Sequence, residues 1–203
     1  MYIPAPTESN FAPCPAGTHL GLCYRVIDLG TQVSNFDGET KTAHKIMLSW
    51  EIPEEKMEDG RPFMISKTFT WSMHEKATLR KWLEAWRALA FSERDFGPGG
   101  FDIKNVLGKA CTLSIVHTQK NDKIYANVSS LGKVMKGVTV PHLTNPTSYL
   151  WLNQERWDAA VFSQLSAPWQ AKIMSSPEYM ELMKHNDAPR DDGEFHGDEN
   201  IPF

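Results

Sequence analysis

Thr42 to Ile52, TAHKIMLSWEI, is the stretch on which the fold turns. Ile46, Leu48, Trp50 and Ile52 fall on one side of an extended chain, and Lys45, Met47, Ser49 and Glu51 on the other. That is the two-residue period of a strand with one buried face. Just upstream, NFDGET (Asn35 to Thr40) is turn chemistry, Asp-Gly being a hairpin signal. It leads back to HLGLCYRVIDLGTQV (His19 to Val33), a long strand with Gly21 and Gly30 as bend or bulge positions. Downstream, the polar loop PEEKMEDGRP leads to a third strand, Phe63 to Trp71. There Met64, Ser66, Thr68 and Thr70 make a small polar face opposite Phe63, Ile65, Lys67, Phe69 and Trp71.

A helix follows these strands. Ser72 and Glu75 have the spacing of a capping box, and Leu79, Trp82, Leu83, Trp86 and Leu89 then recur at helical spacing. After the loop FGPGG (Phe96 to Gly100) come two more strands, Leu107 to His117 and Lys123 to Leu131, joined by TQKND. Three strands, a helix and two strands is the element order of the five-stranded OB barrel, whose helix sits between strands 3 and 4. The expected fold is therefore mainly β, an OB-like barrel, with a split α+β sheet as its competitor.

Around this body the texture changes. Residues 1–16 hold four prolines and read as an extended N-terminal arm, and residues 17–140 as the barrel domain. Residues 141–186 form a C-terminal helical extension. It holds a linker, VPHLTNPTSY, a helix over Leu150 to Leu165 striped by Trp157, Val161 and Leu165, and a short helix SPEYMELMKH opened by Ser176-Pro177. Residues 187–203 read as a disordered acidic tail.

Composition narrows the function. Hydrophobic content of 41% with 23% charged residues is that of a globular protein rather than a disordered one. No long apolar run or leader-like start appears, and three cysteines without a CxxC point to a reducing cytoplasm and to no membrane. The net charge of −4 conceals an asymmetry. Six acids against Arg190 alone occupy residues 187–203, whereas residues 17–140 carry 17 basic against 14 acidic side chains. A mildly basic body with an acidic tail is a different object from a mildly acidic protein.

Catalytic signals are thin. The seven histidines form no HExxH and no zinc spacing, and nothing points to a metal or a cofactor. Glu54-Glu55-Lys56, with Asp37 as an earlier carboxylate, fits a metal-dependent nuclease, but the motif follows Pro53 in a loop and reads as solvated. The chain is expected not to be an enzyme. Binding single strands without sequence preference needs cations for phosphates and rings for bases. The candidate cations are Arg25, Lys41, Lys45, Lys67, Lys120, Lys123 and Lys133, and the candidate rings are Phe36, Trp71 and Tyr125. Trp50 and Phe69 share their alternation with Ile and Leu and read as core, as do Trp82 and Trp86 on the helix stripe. Lys67 is the oddest, a lysine among apolar neighbours that is snorkelling, bulged or facing a phosphate.

The ending DENIPF, Asp198 to Phe203, is the sharpest motif. It resembles the acidic tail of bacterial and phage single-stranded DNA-binding proteins, which closes on Ile-Pro-Phe. DLGTQ (Asp28 to Gln32), LSWEIPEE (Leu48 to Glu55), ATLRKWLEAWR (Ala77 to Arg87) and YANVSS (Tyr125 to Ser130) further resemble a phage-encoded single-stranded DNA-binding family, over about Leu20 to Leu131. The resemblance implies an OB-type fold and binding of displaced strands during phage replication or recombination. It also implies that Asp198, Glu199, Ile201, Pro202 and Phe203 dock replication or recombination proteins. The chain departs from the bacterial proteins in its helical segment 147–185 and in a short tail spacer that is not Gly/Gln-rich. The expected function is sequence-independent binding of single-stranded DNA by a possible homo-oligomer. A recombination mediator or strand-annealing protein is the alternative, and a nuclease the third reading.

Overall fold

The computed structural model describes residues 12–36, 38–98 and 100–186. Its scaffold is a mixed, open, six-stranded sheet accompanied by four helices. Strands β1 (Gly17–Phe36), β2 (Glu39–Lys56) and β3 (Pro62–Thr70) form an antiparallel meander. A turn at Gly38, with φ 78°, joins the first two and sets Phe36 opposite Glu39. Helix α1 (Thr78–Arg87) comes next, then 3-10 turns at Glu93–Asp95 and Ile103–Val106, and the hairpin of β4 (Ala110–Lys120) and β5 (Lys123–Gly132). β4 pairs with the first residues of β1, giving the order β3-β2-β1-β4-β5. The short β6 (Ser148–Leu150) runs parallel to β1 along Arg25 to Ile27, on the same edge beyond β4.

The expected OB-like barrel is not formed. Closure would require β3 and β5 to pair, and among the described residues no ladder joins them. Instead the Lys67 ammonium, on β3, donates to the Val128 carbonyl on β5 at 2.7 Å. Its Nζ also lies 4.6 Å from the centre of the Trp82 ring on α1, which rests against both edge strands. A side chain and a helix thus occupy the seam that a backbone ladder would have closed.

One face of the sheet holds the main core. Val26, Ile46, Leu48, Trp50, Ile65 and Phe69 meet Leu79, Leu83 and Trp86 of α1. Full burial of each such side chain contributes roughly 1.5–3 kcal/mol. Trp86 also donates its indole N–H to the Ala110 carbonyl at 2.7 Å, tying the helix to β4. The capping box expected at Ser72 and Glu75 is absent, because residues 72–77 turn on themselves through the Ser72 hydroxyl and the His74 carbonyl. The helix starts at Thr78 with no side-chain cap.

The opposite face carries a second core, where Ile27, Leu29 and Met47 pack against Leu150, Leu152, Leu165 and Ile173. The helix expected over Leu150 to Leu165 is replaced by β6, a turn and the short α2 (Ala159–Ser163), followed by α3 (Ala167–Met174). Asp158 caps α2 by accepting from the Ala160 and Val161 amides, and Pro168 opens the next helix. Helix α4 (Pro177–Asn186) begins after Ser176, whose hydroxyl accepts from the Tyr179 amide at 3.3 Å. At the β1 bulge Gly30 has φ 67°, and a Cβ there would overlap the Ser176 side chain, so only glycine lets this cap approach. Gly21 is no bulge; Leu113 lies across it.

Candidate nucleic-acid interface

The outer face of β3 is the longest uncovered row in the meander. Met64, Ser66, Thr68 and Thr70 are exposed at two-residue spacing, while Ile65 and Phe69 point into the core. A groove lies at each end of this row. The first, of about 1080 Å³, runs between the β2–β3 turn (Met57, Arg61), β3 itself (Phe63, Met64) and the β4–β5 hairpin (Lys123 to Ala126). The second, of about 580 Å³, is bordered by Lys45, Lys67, Thr70, His74 and Lys76.

The hairpin supplies the unpacked rings and charges. Asn121 and Asp122 both take positive φ (49° and 58°), the requirement of a two-residue type I′ turn, which places Lys120 opposite Lys123. From Val116 to Tyr125 every residue is exposed, so the tip extends beyond the core. Tyr125 is 48% and Ile124 54% exposed, both facing the larger groove.

Not every candidate stands in these grooves. Lys45 and Lys67 share the smaller one and Lys123 and Tyr125 the larger, with Lys120 across the turn from Lys123. The phosphate-facing alternative for Lys67 is answered by its bond to Val128, and burial holds its pKa below the usual lysine value. Lys45 donates to the Thr70 hydroxyl at 2.8 Å, and Lys41 pairs with Glu39 at 3.2 Å on the open surface. Arg25 sits in the seam between β1 and β6, donating to the Ser148 hydroxyl at 3.1 Å. Lys133 lies apart, at a pocket beside α1. Trp71 belongs to a different aromatic group, stacked on Trp151 (5.1 Å, 30°) and edge-on to His44 (4.8 Å). The Phe36 side chain, Asp37 and the tail residues Asp198, Glu199, Ile201, Pro202 and Phe203 lie outside the described residues.

Arg61, Phe63, Met57, Met64 and Ile124 line the larger groove without having been singled out in the sequence. Ile124 carried a usable signal, an apolar residue directly after a turn where the core could not reach it. Arg61 stands in the polar loop between β2 and β3 and pairs with Asp59 (2.6 Å), whose carboxyl is held below its ordinary pKa by the guanidinium hydrogen bond.

Of the residues weighed as a nuclease motif, Glu54, Glu55 and Lys56 are described, and they do not converge. Glu55 turns to His19 (3.6 Å), while Glu54 and Lys56 alternate away from it. Among the described residues no three His, Cys, Asp or Glu side chains gather as a metal site. Cys14, Cys23 and Cys111 are free and buried; burial pushes the Cys14 thiol up to about 11 and Cys23 to about 12.

Compared with known proteins, the chain matches no family model and no curated sequence. The resemblance to OB-type phage single-stranded DNA-binding proteins is thus corrected: no match supports the family, and the open sheet lacks its barrel. Among the described residues no helix is long and apolar enough to cross a membrane.

Proposed function

We propose that the chain binds single-stranded DNA without sequence preference, along the outer face of β3 between the two grooves. The observation that supports this reading most is the β4–β5 hairpin. It holds Tyr125 unpacked beside Lys120 and Lys123, over a groove bordered by Arg61 and Phe63. An exposed ring beside cations is what stacking on bases and tracking of phosphates require, and neither interaction reads sequence. The hydroxyls of Ser66, Thr68 and Thr70 offer donors to the strand between the grooves. Such a protein shields displaced strands during replication or recombination, and the Asp198 to Phe203 segment recruits its partners.

Titration of labelled dT oligomers and of a duplex of equal length, each at two salt concentrations, tests the proposal. Single strands bind more tightly than the duplex, and log affinity falls with log salt by roughly 0.7 per phosphate neutralised. Equal affinity for the duplex sinks the reading.

A further inference from the structure

The pocket beside α1, of about 480 Å³, differs in kind from the two grooves. Leu83, Trp86, Phe91, Phe101 and Val106 make its wall apolar. Val134 and Val140 also line it, and the segment between them leaves Met135 (72%) and Val138 (40%) exposed, so apolar surface continues outward from the pocket. Three cations border it: Arg87, Lys109 and Lys133. Arg87 gives one terminal nitrogen to Asp95 at 2.6 Å, while its other, Nη1, is buried with no hydrogen-bond partner among the described residues. Lys109 and Lys133 are exposed and form no ion pair among the described residues.

An apolar wall under a cationic rim calls for a ligand with an apolar end and neighbouring acids. This chain contains one. Ile201, Pro202 and Phe203 follow Asp198 and Glu199, within a segment that carries six acids against one base. We propose that the chain's own Asp198–Phe203 segment docks in this pocket, with Ile201 and Phe203 against the Leu83–Trp86–Phe101 wall and the acids at Arg87, Lys109 and Lys133. Reach permits it. Residues 187–197, at about 3.3–3.6 Å each, span up to roughly 40 Å from the end of α4. A folded body of this size has a radius of gyration of about 16 Å and is therefore roughly 40 Å across, a breadth that the extended linker matches. The match is one of charge as well as shape, since the acids are of the wrong sign for a phosphate track and of the right sign for this rim. Docking at home keeps the segment off solvent until a partner with a better pocket withdraws it. It also gives Lys133 an occupation away from DNA.

The experiment uses the full chain carrying benzoylphenylalanine at position 203, irradiated and mapped by mass spectrometry. Crosslinks at monomer mass to 83–91, 101–110 or 133–140 are expected. The yield should drop severalfold in the exposed double variant Lys109→Glu, Lys133→Glu. It should drop likewise when salt rises from about 20 mM to about 500 mM, which shortens the Debye length severalfold. Crosslinks to the β3 grooves, crosslinks at dimer mass, or a yield indifferent to the two lysines overturn the proposal. Amide exchange supplies a second reading: Phe203→Ala should speed exchange at 83–91 and 133–140, and unchanged rates there overturn it. Neither measurement contains nucleic acid, so its outcome is separate from that of the oligonucleotide titration.

Discussion

Strands β2 and β3 are neighbours with the same alternating pattern, yet they end in opposite circumstances. From Ile46 to Ile52 every residue of β2 is buried, because α1 covers one face and the 141–182 segment reaches the other. The polar residues on that second face are provided for. Glu51, fully buried, accepts from the Thr144 and Asn145 amides (both 2.9 Å) and from the Asn145 side chain (2.6 Å), and Ser49 meets the Ser66 hydroxyl at 2.8 Å. On β3 the equivalent face keeps Met64, Ser66, Thr68 and Thr70 in solvent. Alternation therefore says which residues share a face and not whether that face is covered. The uncovered face is the one available to a ligand.

The largest effect that tests this contrast is on stability. Trp50→Ala should cost about 3–5 kcal/mol by denaturant unfolding, since the ring is fully buried against Trp86 (6.1 Å between centres). Thr68→Ala on β3 should change stability by no more than about 0.5 kcal/mol. Comparable costs for the two would mean that the β3 face is covered after all.

Glu51→Ala comes next. It removes the buried acceptor of the Thr144 and Asn145 amides, a loss of about 1–3 kcal/mol. It should also make residues 141–147 sensitive to protease before the rest of the chain; uniform digestion would show that this carboxylate does not hold the segment. On the open side, Tyr125→Ala should weaken binding of oligo-dT by roughly 1–3 kcal/mol with the melting temperature nearly unchanged. A sharp fall in melting temperature instead would place Tyr125 in the core.

The smallest expected effect is the response to pH of the contacts that cover β2. His44, on β2, lies 2.6 Å from Asp28 on β1 and 3.4 Å from Glu178 on α4, where Glu178 also accepts from the Thr31 amide and hydroxyl. The hydrogen bond to Asp28 raises the His44 pKa above its ordinary 6.5, against the opposing pull of burial. Its contribution is then complete below about pH 6.5 and is lost as pH rises through the raised value. Burial pushes Glu51 and Glu178 up, but their hydrogen bonds outweigh it and hold both carboxyls below 4.5. Their contribution is present above that value and fades as pH falls through the lowered one. Thermal melts should therefore peak between roughly pH 4.5 and 6.5, and His44→Ala should flatten the alkaline side. An unchanged alkaline side in that variant would show that His44 contributes nothing to the covering.

Much of the local structure was legible. The turns at Gly38 and Asn121-Asp122, the burial of Trp50 and Phe69, the inward stripe of α1 as far as Trp86 and the start of α4 all follow from spacing within a few residues. Leu89, expected on that stripe, lies past the helix end and is exposed. Of the candidate site, Tyr125 and Lys123 were readable because a polar turn marks where a hairpin leaves its core. Arg61, Phe63 and Met57 were not, since they gain meaning only from a hairpin some sixty residues further along.

Sequence by itself thus determined the hairpin turns and the periods and faces of β2 and β3, because each depends on the stereochemistry of a short segment and on nothing remote. It also determined the charge division between a mildly basic body and an acidic tail. Tertiary structure alone decided that β3 and β5 stay unpaired, that Lys67 spends its ammonium on the Val128 carbonyl, and that Leu150, Leu152 and Ile173 cover the second face of β2. Those outcomes are competitions between groups 60 to 150 residues apart for the same edge or the same apolar surface. A local pattern carries the preference of each competitor but not the result.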